Sequence, residues 1–412
     1  MRGHHRVLDG DRQDLRVRSR LTDHDDAGGP LERARALAPL LEDLSERTEQ
    51  ERRLPESVLR ALFDAALFRL LLPRALDGGE VDPVAFVQVI EEIAKHDASA
   101  AWCLCQAAGC SMTAAYLSPE GARHIFGAPR SVLAWGPSHD AKAVPVDGGY
   151  RISGTWSFAS GCRHATWLGG YCAIQEPGGG PRRRSDGSAD GRTMLFPAEK
   201  ATIVDVWQVT GLRGTGSDTF TVSDLYVPAA ETVSRDDPAE RRHPGPLYCF
   251  PSGSLYAAGF SGVAMGIARS SLDAFIELAR DKEPRGSRRQ VRDSAVVQLQ
   301  VAQAEGQLRS ARVFLLDTLE HIWAEVSRTG SPLSIEQRVQ IRLASTYGIH
   351  QAKQVVDTVH HAAGSSAIFT SSAFERRFRD IHTVTQQLQG RQAHLETVGR
   401  FLLGLEPDTT FL

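Results

Sequence analysis

Two stretches hold the residue types that could do chemistry: Trp156-Ser-Phe-Ala-Ser-Gly-Cys-Arg-His-Ala-Thr-Trp167 and Val209-Thr-Gly-Leu-Arg-Gly-Thr-Gly-Ser-Asp-Thr-Phe220. Both set small hydrogen-bonding residues beside aromatics, the combination that holds a flat ring with a polar edge. Other candidates fall away. His360 and His361 are neighbours on a helix, share no face, and lack the carboxylate pair that would complete a metal site. Cys103, Cys105, Cys110, Cys162, Cys172 and Cys249 form no C-x-x-C pair and no zinc spacing. They read as reduced, buried thiols of a cytoplasmic protein. Gly211, Gly214 and Gly216 precede a strand rather than a helix, so they are no dinucleotide fingerprint.

The elements that must position these stretches change period twice along the chain. From residue 31 to about 130 the apolar spacing is helical, with Leu31, Ala34, Leu37, Leu41 and Leu44 on one face. Pro39 is expected to kink or split that helix, and Pro55 to sit in the first turn of the next. Ala100–Ala115 is free of charge, which marks a helix buried on most faces. Residues 131–235 read as strands broken by Gly, Pro and Asp turns, and Asp147-Gly-Gly149 signals a hairpin. The Gly-, Arg- and Ser-rich insert Glu176–Gly191 reads as a solvated loop. Helical spacing returns over 245–412 in segments near 254–279, 293–327, 335–363 and 372–403. The fold class is therefore mainly α with a central β-domain, ending in a four-helix bundle.

At 412 residues the chain exceeds what one simple core usually fills. A formal charge of -3 with 42% hydrophobic residues suggests neither a nucleic-acid groove nor a membrane surface, leaving a small molecule as the partner. Residues 1–30 read as a mobile tail without the apolar core of a signal peptide. No stretch approaches the roughly 18 apolar residues of a membrane span.

This order of helices, β-domain and helical bundle resembles the acyl-CoA dehydrogenase superfamily, from residue 30 to the C-terminus. Tyr150-Arg-Ile-Ser-Gly-Thr-Trp-Ser-Phe-Ala-Ser-Gly161 is similar to the stretch facing the flavin edge. Thr210-Gly-Leu-Arg-Gly-Thr-Gly-Ser217, leading into Leu225-Tyr-Val-Pro228, is similar to the last β-hairpin, and Glu375-Arg-Arg-Phe-Arg-Asp-Ile-His382 to the Arg-Asp turn of the bundle. Dehydrogenation of a thioester needs a carboxylate base. The usual place falls in Thr385-Gln-Gln-Leu388, and the alternative lies between Arg242 and Leu272; neither contains an acid. The resemblance is thus narrower, to the two-component flavin-dependent monooxygenases.

That branch implies reduced flavin (FMNH2 or FADH2), O2, a C4a-hydroperoxyflavin, a separate NAD(P)H:flavin reductase and a homotetramer. By resemblance Ser160 is the hydroxyl near flavin N5, although a serine there can also cap its own turn. Gly136 and Ser138 would approach the pyrimidine edge, with Trp135, Phe158 and Ala159 beside the ring and Arg285 on a flavin phosphate. A plain turn, strand packing and a solvated loop are the alternatives for these residues. Two histidines of the aromatic hydroxylases in this branch are missing, near Gly109-Cys-Ser111 and near Gln386-Gln387. Ser111, Gln386 and Gln387 would instead line an uncharged substrate pocket, with His382 either a general base or a structural histidine. The expected activity is oxygenation of a small aromatic or heteroatom-containing substrate. A dehydrogenase-like oxidoreductase and a non-catalytic flavin-binding protein are the alternatives.

Overall fold

The computed structural model describes residues 28–412, apart from 177, 185, 186, 188, 236, 284, 285, 287, 288 and 411. Arg285, most of the N-terminal tail and part of the 176–191 insert therefore lie outside the described residues.

The first helices are α1 (Pro30–Ala36) and α2 (Ala38–Glu51), and Pro39 splits them by occupying the first turn of α2. Pro55 is the N-cap of α3 (Glu56–Asp64) and not within its first turn; its extended ψ of 150° feeds the helix from outside. Asp97 ends α4 (Pro83–His96) and starts α5 (Ala98–Ser111), accepting a 2.7 Å hydrogen bond from Ala100 N. That cap satisfies one of the orphan amides of α5 and fixes where its charge-free, almost wholly buried cylinder begins. Helix α6 (Pro119–Phe126) follows.

The β-domain is one sheet built from β1 (Leu133–Gly136), β2 (Lys142–Val146), β3 (Gly149–Ala159), β4 (Trp167–Ile174), β5 (Gly191–Pro197), β6 (Thr202–Val204), β7 (Asp218–Pro228) and β8 (Thr232–Val233). Its order is β6-β7-β3-β2-β4-β5-β8, with β1 parallel to β4 beside this path. Short β6 and β8 lie at the ends of that path, where few residues suffice to pair one side of a neighbour. Trp156 of β3 is fully buried and stacks on Phe220 of β7, centroids 5.2 Å apart. Such burial contributes about 2–3 kcal/mol. Gln175 bridges Pro181 and Arg183 bridges Ala189, so residues 181–183 of the insert pair with the chain on either side, beside the end of the β4–β5 hairpin.

Helices α7 (Ser252–Asp281), α8 (Ala295–Thr329), α9 (Ile335–Ala363), α10 (Ala373–Gln386) and α11 (Ala393–Leu402) form the C-terminal bundle. The expected helix from 372 to 403 is broken after Gln386. Gln387 Oε1 accepts from Gln389 N at 2.6 Å, and His394 Nε2 meets the Leu388 carbonyl at 2.8 Å, so side chains replace the interrupted ladder. A half-buried ion pair ties the bundle to the N-terminal helices: Arg312 of α8 meets both oxygens of Glu91 of α4 at 2.9 and 2.8 Å. Another contact ties it to the sheet, because Asp380 of α10 accepts from Leu212 N at 2.6 Å, just before the turn into β7. Among the described residues no helix is long and apolar enough to cross a membrane.

Candidate active site

The sheet and helices meet where β3 ends. Its register against β7 slips between Trp156 and Ala159, and Phe158 takes a left-handed φ of 55°. A non-glycine residue in that region costs about 1 kcal/mol. The bulge turns the Phe158 ring outward, 66% exposed, with the Trp207 ring edge-on to it at 6.1 Å. Ala159 stays fully buried opposite Asp218. Gly136 of β1 can lie against the bulge only because it has no side chain, since a Cβ there would stand 2.0 Å from the Ser157 carbonyl. Trp135 and Gly136 are thereby held beside residues 157–160.

Ser160 is buried, and its hydroxyl has two partners. Trp102 Nε1 of α5 donates to its Oγ at 2.9 Å, and Ser217 Oγ lies 2.7 Å away. Ser217 is itself 2.7 Å from Thr215 Oγ1, which donates to the Leu212 carbonyl at 2.8 Å. The next residue anchors this turn: Asp218, wholly buried, accepts from Arg163 at 2.5 Å and from the amides of Val206 and Trp207 at 3.0 and 3.1 Å. Arg163 also reaches Asp205, which Arg52 binds at 2.6 Å. Asp218 therefore sets both the Ser217 turn and the Trp207 ring.

The helical side is softer. Trp102 lies against Phe260 of α7 with centroids 4.0 Å apart, and Phe260 stacks on Tyr256. Tyr256 reaches α5 because Gly109 is bare: a Cβ there would meet its ring at 2.4 Å. Its hydroxyl donates to the Gln106 carbonyl at 3.2 Å, and it lies 3.4 Å from Cys110 Sγ and 3.5 Å from Gln106 Nε2. Burial pushes the Cys110 thiol up to about 12 and the Tyr256 phenol well above its ordinary range. Both stay neutral. Arg235, whose guanidinium lies 4.2 Å over the Trp135 ring, opposes that rise at both groups.

The remaining expected residues are placed as follows. Ser138 organises the β1–β2 turn, donating to Asp140 at 2.9 Å and accepting from Ala141 N at 3.1 Å. Ser111 is buried and donates to Ala108 O at 2.7 Å within its own helix. Positions 102, 106 and 110 share one face at four-residue spacing, and 111 lies a further 100° round. Gln106 and Cys110 thus share the Trp102 side of α5. His382 pairs with Asp357 at 2.9 Å and packs on Phe378 between α9 and α10, so within this chain its partners are not those of Ser160. Gln387 caps Gln389, and Gln386 Nε2 reaches Thr385 Oγ1 at 3.5 Å.

The profile of the acyl-CoA dehydrogenase N-terminal domain matches residues 33–125, and that of its C-terminal domain matches residues 258–390. The chain belongs to the acyl-CoA dehydrogenase superfamily. Within that superfamily it is 29% identical over 361 residues to an indole-3-acetate monooxygenase of Acinetobacter baumannii, covering 87% of this chain and 89% of that one. It is 28% identical over 363 residues to the flavin-dependent monooxygenase oxygenase subunit HsaA of Rhodococcus jostii, covering 85% and 92%. The crystal structure of 3-HSA hydroxylase from Rhodococcus sp. RHA1 superposes with a TM-score of 0.85 at 26% identity, covering 94% of this chain and 100% of that one. The fold of this superfamily member is thus that of a flavin-dependent oxygenase over nearly its full length.

A flavin fits the donor set. The outward Phe158 and the edge of Trp207 offer apolar surface, Ser160 keeps one unspent lone pair, and Arg235 supplies positive charge beside Trp135. A groove of about 320 Å³ on the outer side of the same strands is lined by Asp140, Gly154, Thr155, Lys200, Thr202, Thr221, Val222 and Ser223.

Proposed function

We propose that this chain is the oxygenase component of a two-component flavin-dependent monooxygenase, supplied with FMNH2 or FADH2 by a separate NAD(P)H:flavin reductase. Bound reduced flavin supplies the two electrons that activate O2, so that one oxygen atom enters a small organic substrate and the other leaves as water. The observation that carries this reading is the β3 bulge, where an outward aromatic is followed by a buried serine whose hydroxyl is held by Trp102 and Ser217 with one lone pair to spare.

In this reading Phe158 and Trp207 bear on one face of the ring, the Trp135–Gly136 backbone approaches its polar edge, and Ser160 meets N5. Asp218 and Arg163 hold that side rigid before the flavin arrives, the preorganisation that electrostatic catalysis needs. Gln106, Cys110, Tyr256 and Phe260 form the substrate side, apolar with weakly held polar groups. That lining suits a neutral aromatic ring or a heteroatom centre better than a thioester awaiting deprotonation, since the charge acting on Cys110 and Tyr256 is that of Arg235 and no carboxylate occurs in Thr385–Leu388. Exposed Val296, Leu299, Val313 and Phe314 on α8 give the bundle an apolar face, which supports assembly as a homotetramer.

The experiment is anaerobic titration with FMNH2 and FADH2, then mixing with isotopically labelled O2 and a panel of small aromatic, amine and sulfur compounds. The reading expects binding of at least one reduced flavin and a product carrying one labelled oxygen atom. Failure to bind either reduced flavin refutes it.

A further inference from the structure

Trp102 Nε1, Ser160 Oγ, Ser217 Oγ, Thr215 Oγ1 and the Leu212 carbonyl form an unbranched hydrogen-bonded chain with links of 2.9, 2.7, 2.7 and 2.8 Å. Geometry alone leaves the two hydroxyl–hydroxyl links undirected. The ends do not. An indole N–H can only donate and a carbonyl oxygen can only accept, while each hydroxyl carries a single proton. Thr215 spends its proton on Leu212, so Ser217 must donate to Thr215 and Ser160 must donate to Ser217. Trp102 then donates to Ser160. Every available proton is used, and no other arrangement fills every link. Trp102, Ser160, Thr215 and Ser217 are all buried, which keeps bulk water from relaxing the order.

We propose that Ser217 and Thr215 are positioning residues that fix Ser160 as a hydrogen-bond acceptor toward a bound flavin, and so make the site prefer reduced over oxidised flavin. This rests on the reading that Ser160 meets N5. One lone pair of Ser160 Oγ is taken by Trp102 and its proton is committed to Ser217, which leaves one lone pair. Reduced flavin presents an N–H at position 5 and meets that lone pair favourably. Oxidised flavin presents a lone pair there and meets it unfavourably. The directed chain thus binds the form the reductase delivers and weakens the form that must leave after turnover.

The test compares dissociation constants of the full chain for FMNH2, prepared anaerobically, and for FMN. The wild-type protein should bind FMNH2 at least about tenfold more tightly. Ser217→Ala frees the Ser160 proton to point at N5. Thr215→Val lets Ser217 turn its own proton onto Ser160, with the same result. Each should shrink the ratio of the two constants about tenfold, chiefly by tightening FMN, whereas Thr215→Ser should restore the wild-type ratio. A purely structural role would weaken both forms together and leave the ratio alone. If Ser217→Ala does not fold, Thr215→Val against Thr215→Ser decides. Ratios within about twofold of wild type in variants that still bind FMNH2 would overturn the proposal and leave the flavin assignment standing. If FADH2 binds in place of FMNH2, the same ratio is read with FADH2 and FAD; failure of the wild-type chain to bind either reduced flavin would remove both.

Discussion

On the sheet side of the junction the links from Ser160 through Ser217 and Thr215 to Leu212 measure 2.7 to 2.8 Å, whereas on the helix side Tyr256, Cys110 and Gln106 meet at 3.2 to 3.5 Å. The first set is braced by a buried carboxylate–guanidinium pair, and the second consists of a thiol, a phenol and an amide held by aromatic packing. A network with every partner satisfied in low dielectric is rigid, and one with long sulfur contacts can be rearranged at little cost. The difference teaches a division of labour. The stiff side suits a cofactor whose shape never changes, and the soft side suits a substrate.

Four substitutions bear on that comparison. Asp218→Ala should do the most damage, because it leaves two amides without their acceptor and Arg163 with Asp205 alone; loss of this partly buried pair and its amide bonds should cost about 3 kcal/mol, readable in denaturant unfolding. A cost below about 1 kcal/mol would mean the sheet side is not braced as described. Ser160→Ala leaves the Trp102 N–H and the Ser217 hydroxyl short of a partner and should cost about 1–3 kcal/mol, together with weaker binding of reduced flavin.

The third concerns the anchor of the stiff side. Burial pushes the Asp380 carboxyl from 3.8 up to about 7, and Asp97 moves in the same direction to about 6. The folded chain keeps these protons over a range in which the unfolded chain has released them. Their contribution to stability is therefore complete below about pH 4 and is lost as pH climbs to about 7. Asp380→Asn keeps an acceptor for Leu212 N and should flatten much of that decline in melting temperature between pH 4 and pH 7. An unchanged slope would show that Asp380 is not its source. His164, lowered by burial to about 4, acts oppositely, since its contribution is present above about 6.5 and is lost as pH falls through 4.

The smallest effect belongs to the soft side. Tyr256→Phe removes one hydroxyl with contacts of 3.2 to 3.5 Å and should cost less than about 1 kcal/mol, changing KM across a substrate panel while the Kd for reduced flavin stays put. A shift in flavin affinity instead would erase the distinction between the two sides.

The sequence made the three-part fold legible because its period changes sharply at both ends of the β-rich stretch. Ser160 entered only through the resemblance carried by Tyr150–Gly161, since a serine in such a turn can also cap its own backbone. Trp102 was missed: an indole in a charge-free helix reads as core, and its N–H finds Ser160 only in three dimensions. Thr215 and Ser217 lay within a recognised glycine-rich turn, and two hydroxyl residues at alternate positions facing a strand were the signal that went unread. Ser111 was singled out by its place near a histidine that the resembling hydroxylases carry, whereas Gln106 shows itself only once the face shared with Trp102 and Cys110 is worked out. The break after Gln386 is built from side-chain bonds to the backbone, which leave no mark on apolar spacing.

The left-handed Phe158 has a consequence for anyone engineering this scaffold. Its backbone is held in a conformation that a glycine would accept more readily, so a library screened only for heat resistance should recover Phe158→Gly as a winner, about 1 kcal/mol more durable. Such a winner would have discarded the outward ring, and thermal challenge without a parallel assay of catalysis would breed robust but idle proteins.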